Sequence, residues 1–181
     1  MKAGAQQLPS PVFGRRVWRG LLASLMALGI SAGAAAAVLA GKVVAVTDGD
    51  TITVLDAGKV EHAVRLSGID APEKKMPFGQ RSKQHLSDLL YGKWVEVEGE
   101  KNDRYGRLVG KVLVNGIDAN LAQVQAGMAW HYKQYEREQT ASDRQTFAEA
   151  EIRSATARQG LWVDRDPVAP WDWRKERRRK E

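Results

Sequence analysis

The sequence predicts an α+β domain in which five short strands close into a small barrel and three helices pack against it. Three observations carry that expectation. Short apolar runs that alternate with polar residues are separated by compact turn signals. One run at helical spacing falls between the third strand and the fourth. Two more helical runs follow the fifth strand.

The strands begin after Lys42. Val43–Thr47 and Thr51–Leu55 flank Asp48-Gly49-Asp50, a hairpin signal. Asp56-Ala57-Gly58-Lys59 then turns the chain into Val60–Leu66. In this third strand Arg65, Ser67 and Ile69 point one way, and Leu66 and Gly68 the other. Pro72 fixes its own φ and holds Ala71 extended, which ends the strand and aims the chain at Glu73. Phe78, Ser82, Leu86, Leu89 and Leu90 recur at helical spacing and stop near Gly92. Lys93–Glu98 and Leu108–Val114 are the fourth and fifth strands, the latter closed by Asn115-Gly116. Asp118 caps a helix with Leu121, Val124 and Met128 on its apolar face. A last helix starts after Ser142, buries Phe147, Ala148, Ile152 and Ala155, and stops at Gly160. Five strands with an interposed helix suit a closed Greek-key barrel of the OB-fold type.

Around this domain (residues 41–163) lie two ends of different character. Residues 1–40 hold Lys2, Arg15, Arg16 and Arg19 and no acid, followed by an uncharged Ala/Gly/Leu run from Gly20 to Gly41. That is the layout of a secretory signal peptide, with cleavage points after Ala36, Ala37 or Ala40. The residues around Arg15-Arg16 fit a twin-arginine signal poorly. The other reading is a membrane anchor, because the run is just long enough to span a bilayer. Residues 164–181 form a Pro/Trp arm, expected to pack in extended form, and a basic tail from Arg174 expected to be solvated. The formal charge of +6 belongs to these ends, and residues 41–173 are slightly acidic. Binding to a polyanion therefore rests on local placement of charge. With no cysteine, disulfides, thiolate nucleophiles and Cys-ligated zinc are excluded. His62, His85 and His131 are too far apart for a local ligand motif and read as surface or packing residues.

Three polar stretches stand out against this frame: Asp48-Gly49-Asp50-Thr51, Arg65 through Asp70-Ala71-Pro72-Glu73, and Asp103-Arg104-Tyr105-Gly106-Arg107. Each alone could be a surface turn. Asp50 and Asp70 are hard oxygen donors suited to calcium, and Arg65 and Arg107 can each grip two phosphate oxygens at once. In order and spacing the three stretches resemble the thermonuclease (micrococcal-nuclease-like) family, whose motifs read DGDT, R-four residues-D-[TA]-P-E and D-[KR]-Y-G-R. The resemblance runs from about Val43 to Trp162.

The resemblance implies a calcium-dependent nuclease that hydrolyses phosphodiester bonds of DNA and, as a second substrate, RNA. It implies Asp50 and Asp70 as calcium ligands with the carbonyl of Ala71 as a third, where many relatives carry Thr. Arg65 and Arg107 match the family arginines. Glu73 matches the carboxylate that takes a proton from the attacking water or orients it. Asp48 braces the metal site from behind. Tyr105 contacts phosphate, stacks on a base or simply packs its turn. The substrate-stacking region falls on Trp130-His131-Tyr132-Lys133-Gln134-Tyr135, an aromatic and basic patch that could equally be core. The expected protein is a monomer, secreted or periplasmic, without stable membrane association once the signal is removed; the alternative is anchored, with the nuclease domain outside the cytoplasm. Two rival functions are a non-catalytic OB-fold module in the cell envelope that binds nucleic acid or protein, and an envelope protein using calcium for rigidity alone.

Overall fold

The computed structural model describes residues 38–180. The signal-peptide or anchor reading therefore falls almost wholly outside the described residues. Among these, no helix is long and apolar enough to cross a membrane.

Five strands form the barrel: β1 (Val38–Val46), β2 (Thr51–Asp56), β3 (Glu61–Leu66), β5 (Trp94–Asn102) and β6 (Leu108–Val114). Their order is β3-β2-β1-β5-β6, and a parallel pairing of β3 with β6 closes the ring. Every other pairing in the ring is antiparallel. Closure leaves no exposed sheet edge in the ring, and bulges in β1 and β5 supply the curvature. Inward alternation of β-branched residues fills the interior: Val43, Ile52, Val54, Val64, Val95, Val97, Val112 and Val114 are all buried. The first strand is longer than its sequence pattern implied. It begins at Val38, and Leu39 packs against the core opposite Val97 of β5.

The helices close the barrel's open sides. α1 (Gly79–Leu90) buries Ser82, Leu86 and Leu90. α2 (Ala119–Gln125) starts at the expected cap, with the Asp118 carboxylate accepting from the Leu121 amide at 2.9 Å. α3 (Ala141–Thr156) is capped by Thr140 rather than Ser142. Its buried face is Phe147, Ala150, Glu151 and Ser154, and Ile152, expected inside, is 64% exposed. The face turned because Glu151 is drawn inward, accepting from the His131 amide at 2.9 Å and pairing with Lys133. Short strands β4 (Ile69–Asp70) and β8 (Trp130–His131) pair with each other, and β7 (Ile117–Asp118) extends β6.

Beyond α3, buried Leu161 ties the chain back through its amide to the Gly127 carbonyl at 2.8 Å. The end of the arm expected to be extended (Pro170–Trp173) and the expected solvated basic tail (from Arg174) together form a fourth helix, α4 (Pro170–Lys180). Pro170 sits at its first position, where a missing amide hydrogen costs nothing.

Candidate active site

Strand register, rather than any one loop, assembles the three polar stretches. Arg65 of β3 pairs with Thr51 of β2 on one side and with Val109 of β6 on the other. All three motifs therefore end at one rim of the barrel. The Leu66 amide donates to the Asp50 carbonyl at 2.8 Å, joining the end of β3 to the Asp48–Asp50 turn. Gly49 is needed in that turn because a Cβ there would overlap the Ser82 hydroxyl of α1. Its carbonyl accepts from the buried Gln123 side chain of α2, so the turn is held from both helices.

Asp50 and Asp70 converge on one guanidinium. Arg65 NH1 lies 2.7 Å from Asp50 Oδ2, and NH2 lies 3.0 Å from Asp70 Oδ1. The Ala71 amide also donates to Asp50 Oδ2 at 2.7 Å, while Thr51 Oγ1 donates to Asp50 Oδ1 at 3.1 Å. Asp48 stands behind this pair, its Oδ1 accepting from the Asp50 amide at 3.1 Å. Burial, reinforced by the neighbouring Asp50 charge, pushes the Asp48 carboxyl up to about 6. Burial likewise pushes Asp70 up, against its arginine partners. Arg65 is buried too, which alone would favour its neutral form, but Asp50, Asp70 and Asp48 hold its proton more firmly than usual.

This rim carries more negative charge than Arg65 balances, and it offers hard oxygen donors. Both features fit a calcium ion. Among the described residues, no three His, Cys, Asp or Glu side chains form a complete metal cage. Asp50 and Asp70 would thus need a main-chain carbonyl, such as that of Ala71, and water to complete a shell, which calcium tolerates.

Arg107 stands slightly apart. Asp103 fixes it, with Nε 2.8 Å and NH2 2.7 Å from Asp103 Oδ2, and NH1 donates to Thr51 Oγ1 at 3.3 Å. One hydroxyl therefore separates Arg107 from Asp50. Burial raises the Asp103 carboxyl, but hydrogen bonds from Arg107 and the turn amides outweigh it and hold the group below its usual range. Gly106, at φ +80°, makes that turn possible. Tyr105 is 67% exposed, with the Arg104 and Arg107 guanidiniums 4.8 and 5.4 Å from its ring centre.

Glu73 is half-exposed beside Asp70, and its Oε1 lies 2.8 Å from NH1 of Arg174 on α4. Arg174 NH2 also lies 2.6 Å from Asp70 Oδ2. The sequence reading missed this third arginine. Pro170 followed by a charged run does signal a helix start, but nothing local indicates that the helix returns to a loop 101 residues upstream.

The aromatic patch after Gly127 is divided. His131 is buried, and Trp130 packs edge-on against Trp162 at 4.4 Å. Tyr132 is half-buried near Asp70, and Tyr135, packed edge-on against it, is exposed. Burial and the nearby Asp70 charge push the Tyr132 hydroxyl up. None of the three histidines joins the carboxylates: His62 pairs with Asp56, His85 with Gln123, and His131 with Gln139.

The family model described as staphylococcal nuclease homologue matches residues 63–164. The chain is 42% identical over 135 residues to an "uncharacterized endonuclease" of Haemophilus influenzae, covering 75% of this chain and 72% of that protein. It is 44% identical over 135 residues to a protein of the same description from Escherichia coli O157:H7, covering 74% and 84%. It is 39% identical over 115 residues to staphylococcal-like nuclease CAN1 of Arabidopsis thaliana, covering 64% of this chain and 34% of that longer protein.

Proposed function

The chain belongs to the staphylococcal nuclease homologue family, and on that premise we propose that it is a calcium-dependent nuclease hydrolysing phosphodiester bonds in DNA and RNA. One observation carries the reading: strand register brings Asp50, Asp70, Glu73 and Arg65 to a single barrel rim, with Arg107 one hydroxyl away. A barrel used only for binding gains nothing from buried carboxylates whose ionisation is resisted by their surroundings.

Hydrolysis of a phosphodiester requires a positioned water, neutralised phosphoryl oxygens and in-line geometry. Glu73, the most exposed of the site's carboxylates, is placed to orient water or accept its proton. Arg107 offers a planar fork already oriented by Asp103, which lowers the entropic cost of gripping phosphate. Arg65 is more enclosed, and its chief work is to hold Asp50 and Asp70 in register; NH1 also donates to the Leu66 and Ile69 carbonyls at 3.4 and 3.2 Å. Asp50 and Asp70 would hold calcium together with the Ala71 carbonyl, and a bound ion supplies Lewis-acid stabilisation of phosphoryl charge. Tyr105 gives an exposed ring for a base or sugar, and Tyr132 is a half-buried second one.

The test is a nuclease assay of the purified protein on single- and double-stranded DNA and RNA, with calcium or with chelator. Cleavage should need calcium, magnesium should substitute poorly, and Glu73→Gln should lower turnover by about 10²-fold or more. Full activity in chelator would overturn the metal reading.

A further inference from the structure

Helix α4 lies beyond the family-matched residues 63–164, yet it reaches the centre of the site. Its first turn is fixed by buried Ala169 and Pro170. Trp171 stacks on Tyr132, with ring centres 5.4 Å apart and planes 8° from parallel, and meets Trp130 edge-on at 5.7 Å. Three residues later, on the same helix face, Arg174 turns its guanidinium into the carboxylates.

The contacts of Arg174 are those of a cation filling a cation's place. NH2 is 2.6 Å from Asp70 Oδ2, NH1 is 3.3 Å from Asp70 Oδ1, and NH1 is also 2.8 Å from Glu73 Oε1. Arg65 takes Asp70 Oδ1 as well, so both oxygens of this buried carboxylate are already bonded to guanidinium nitrogens. A divalent ion bound through Asp70 Oδ2 would need the oxygen that Arg174 NH2 already takes at 2.6 Å, so the two cations compete for it. The same guanidinium also takes Glu73 Oε1, so that oxygen is occupied by NH1 rather than facing water. Trp171 at the same time covers the face of Tyr132 that a base would use.

We propose that α4 is a tethered inhibitory arm in which Arg174 competes with the divalent cation for Asp70 and at the same time occupies Glu73. Cation binding expels Arg174, loosens the Trp171–Tyr132 stack, and so frees the water-facing carboxylate and the aromatic surface together. Because the competitor is part of the chain, its effective concentration is high and independent of protein concentration. The coupling is reciprocal: whatever weakens α4 docking strengthens cation binding by the same factor. The inference rests on the reading that Asp50 and Asp70 hold the metal.

Calcium titration by calorimetry, with tryptophan emission followed in parallel, tests it on the full chain and three variants. Arg174→Gln removes the competing charge, and Trp171→Ala loosens the arm without touching a carboxylate. Arg178→Gln removes a charge from the exposed far end of the same helix. Arg174→Gln should bind calcium about 10-fold more tightly, and Trp171→Ala should shift in the same direction. Arg178→Gln should match the unaltered chain. Calcium should shift tryptophan emission to longer wavelength in the unaltered chain as Trp171 becomes solvated, and this change should be absent in Trp171→Ala. Equal or weaker calcium binding by Arg174→Gln and Trp171→Ala would overturn the competition while leaving the metal reading intact. No calcium uptake by any of the four proteins would overturn both.

Discussion

Arg107 meets Asp103 with two of its nitrogens and Thr51 with a third, so its orientation is set before any substrate arrives. Lysine keeps the charge but loses the planar fork. Arg107→Lys is therefore expected to lose about 10²-fold in turnover, by analogy with removal of one oxyanion donor. Steady-state kinetics on a defined oligonucleotide would check this, and a variant within a few-fold of the parent would show that net charge suffices. Asp48 supports a prediction about pH. Its carboxyl stands at about 6 in the folded chain against an ordinary 3.8, because burial and Asp50 both resist its ionisation. The folded state therefore binds this proton more tightly than the unfolded state does. Stability from this group is present at low pH and is lost as pH rises through that window. Asp48→Asn does not titrate, so in chelator it should raise stability at pH 7 by about 1–2 kcal/mol, with the gain gone near pH 4. Denaturant unfolding at the two pH values decides this, and an equal effect at both would refute the titration.

Between elements, the most economical tie is Asn120 at the start of α2. It is fully buried, accepts from the Val112 amide at 3.0 Å, and donates to the Ser67 and Gly110 carbonyls at 2.9 and 3.1 Å. One carboxamide thus holds α2, β6 and the loop after β3, and that loop leads directly to Asp70. Asn120→Ala leaves an amide and two carbonyls without this partner and should cost about 2–4 kcal/mol, measured by urea unfolding. A loss below about 1 kcal/mol would mean water replaces the side chain. No periodicity marks Asn120, because its value comes from three partners that converge only in the folded chain. The misplaced face of α3 has the same origin. Ile152 reads as core by composition, but Glu151 is drawn inward by the His131 amide and Lys133, and the helix rotates to follow.

At the scale of the whole molecule, the start of β1 at Val38 bears on where an exported chain would be cut. We propose that the chain is exported and its N-terminus removed after Ala36 or Ala37 rather than after Ala40. Val38, Leu39 and Ala40 pair with Glu98, Val97 and Glu96 of β5, and cutting within them would shorten β1. Intact-mass analysis of protein recovered outside the cytoplasm should give a chain beginning at Ala37 or Val38. A mass that includes Met1 would point to a retained anchor.

The five barrel strands and the first three helices were legible in the sequence because each has a local signature, and the polar turns stood out beside them. Those signatures are alternation for a strand, 3.6-residue spacing for a helix, and compact polar motifs at the turns. The turns holding Asp48, Asp50, Asp70, Glu73, Arg65 and Arg107 stood out locally, but it was their resemblance to a known family that grouped them as one candidate site, and the fold brings them to one rim. The sequence could not show that Arg65 bonds two carboxylates at once, since that depends on its pairing with Thr51 and Val109 across two neighbouring strands. Nor could it show that the basic end folds into α4 and sends Arg174 to Asp70 and Glu73. A contact between residues more than a hundred positions apart leaves no local pattern. It exists because buried carboxylates need cations, and the fold decides which cation is within reach.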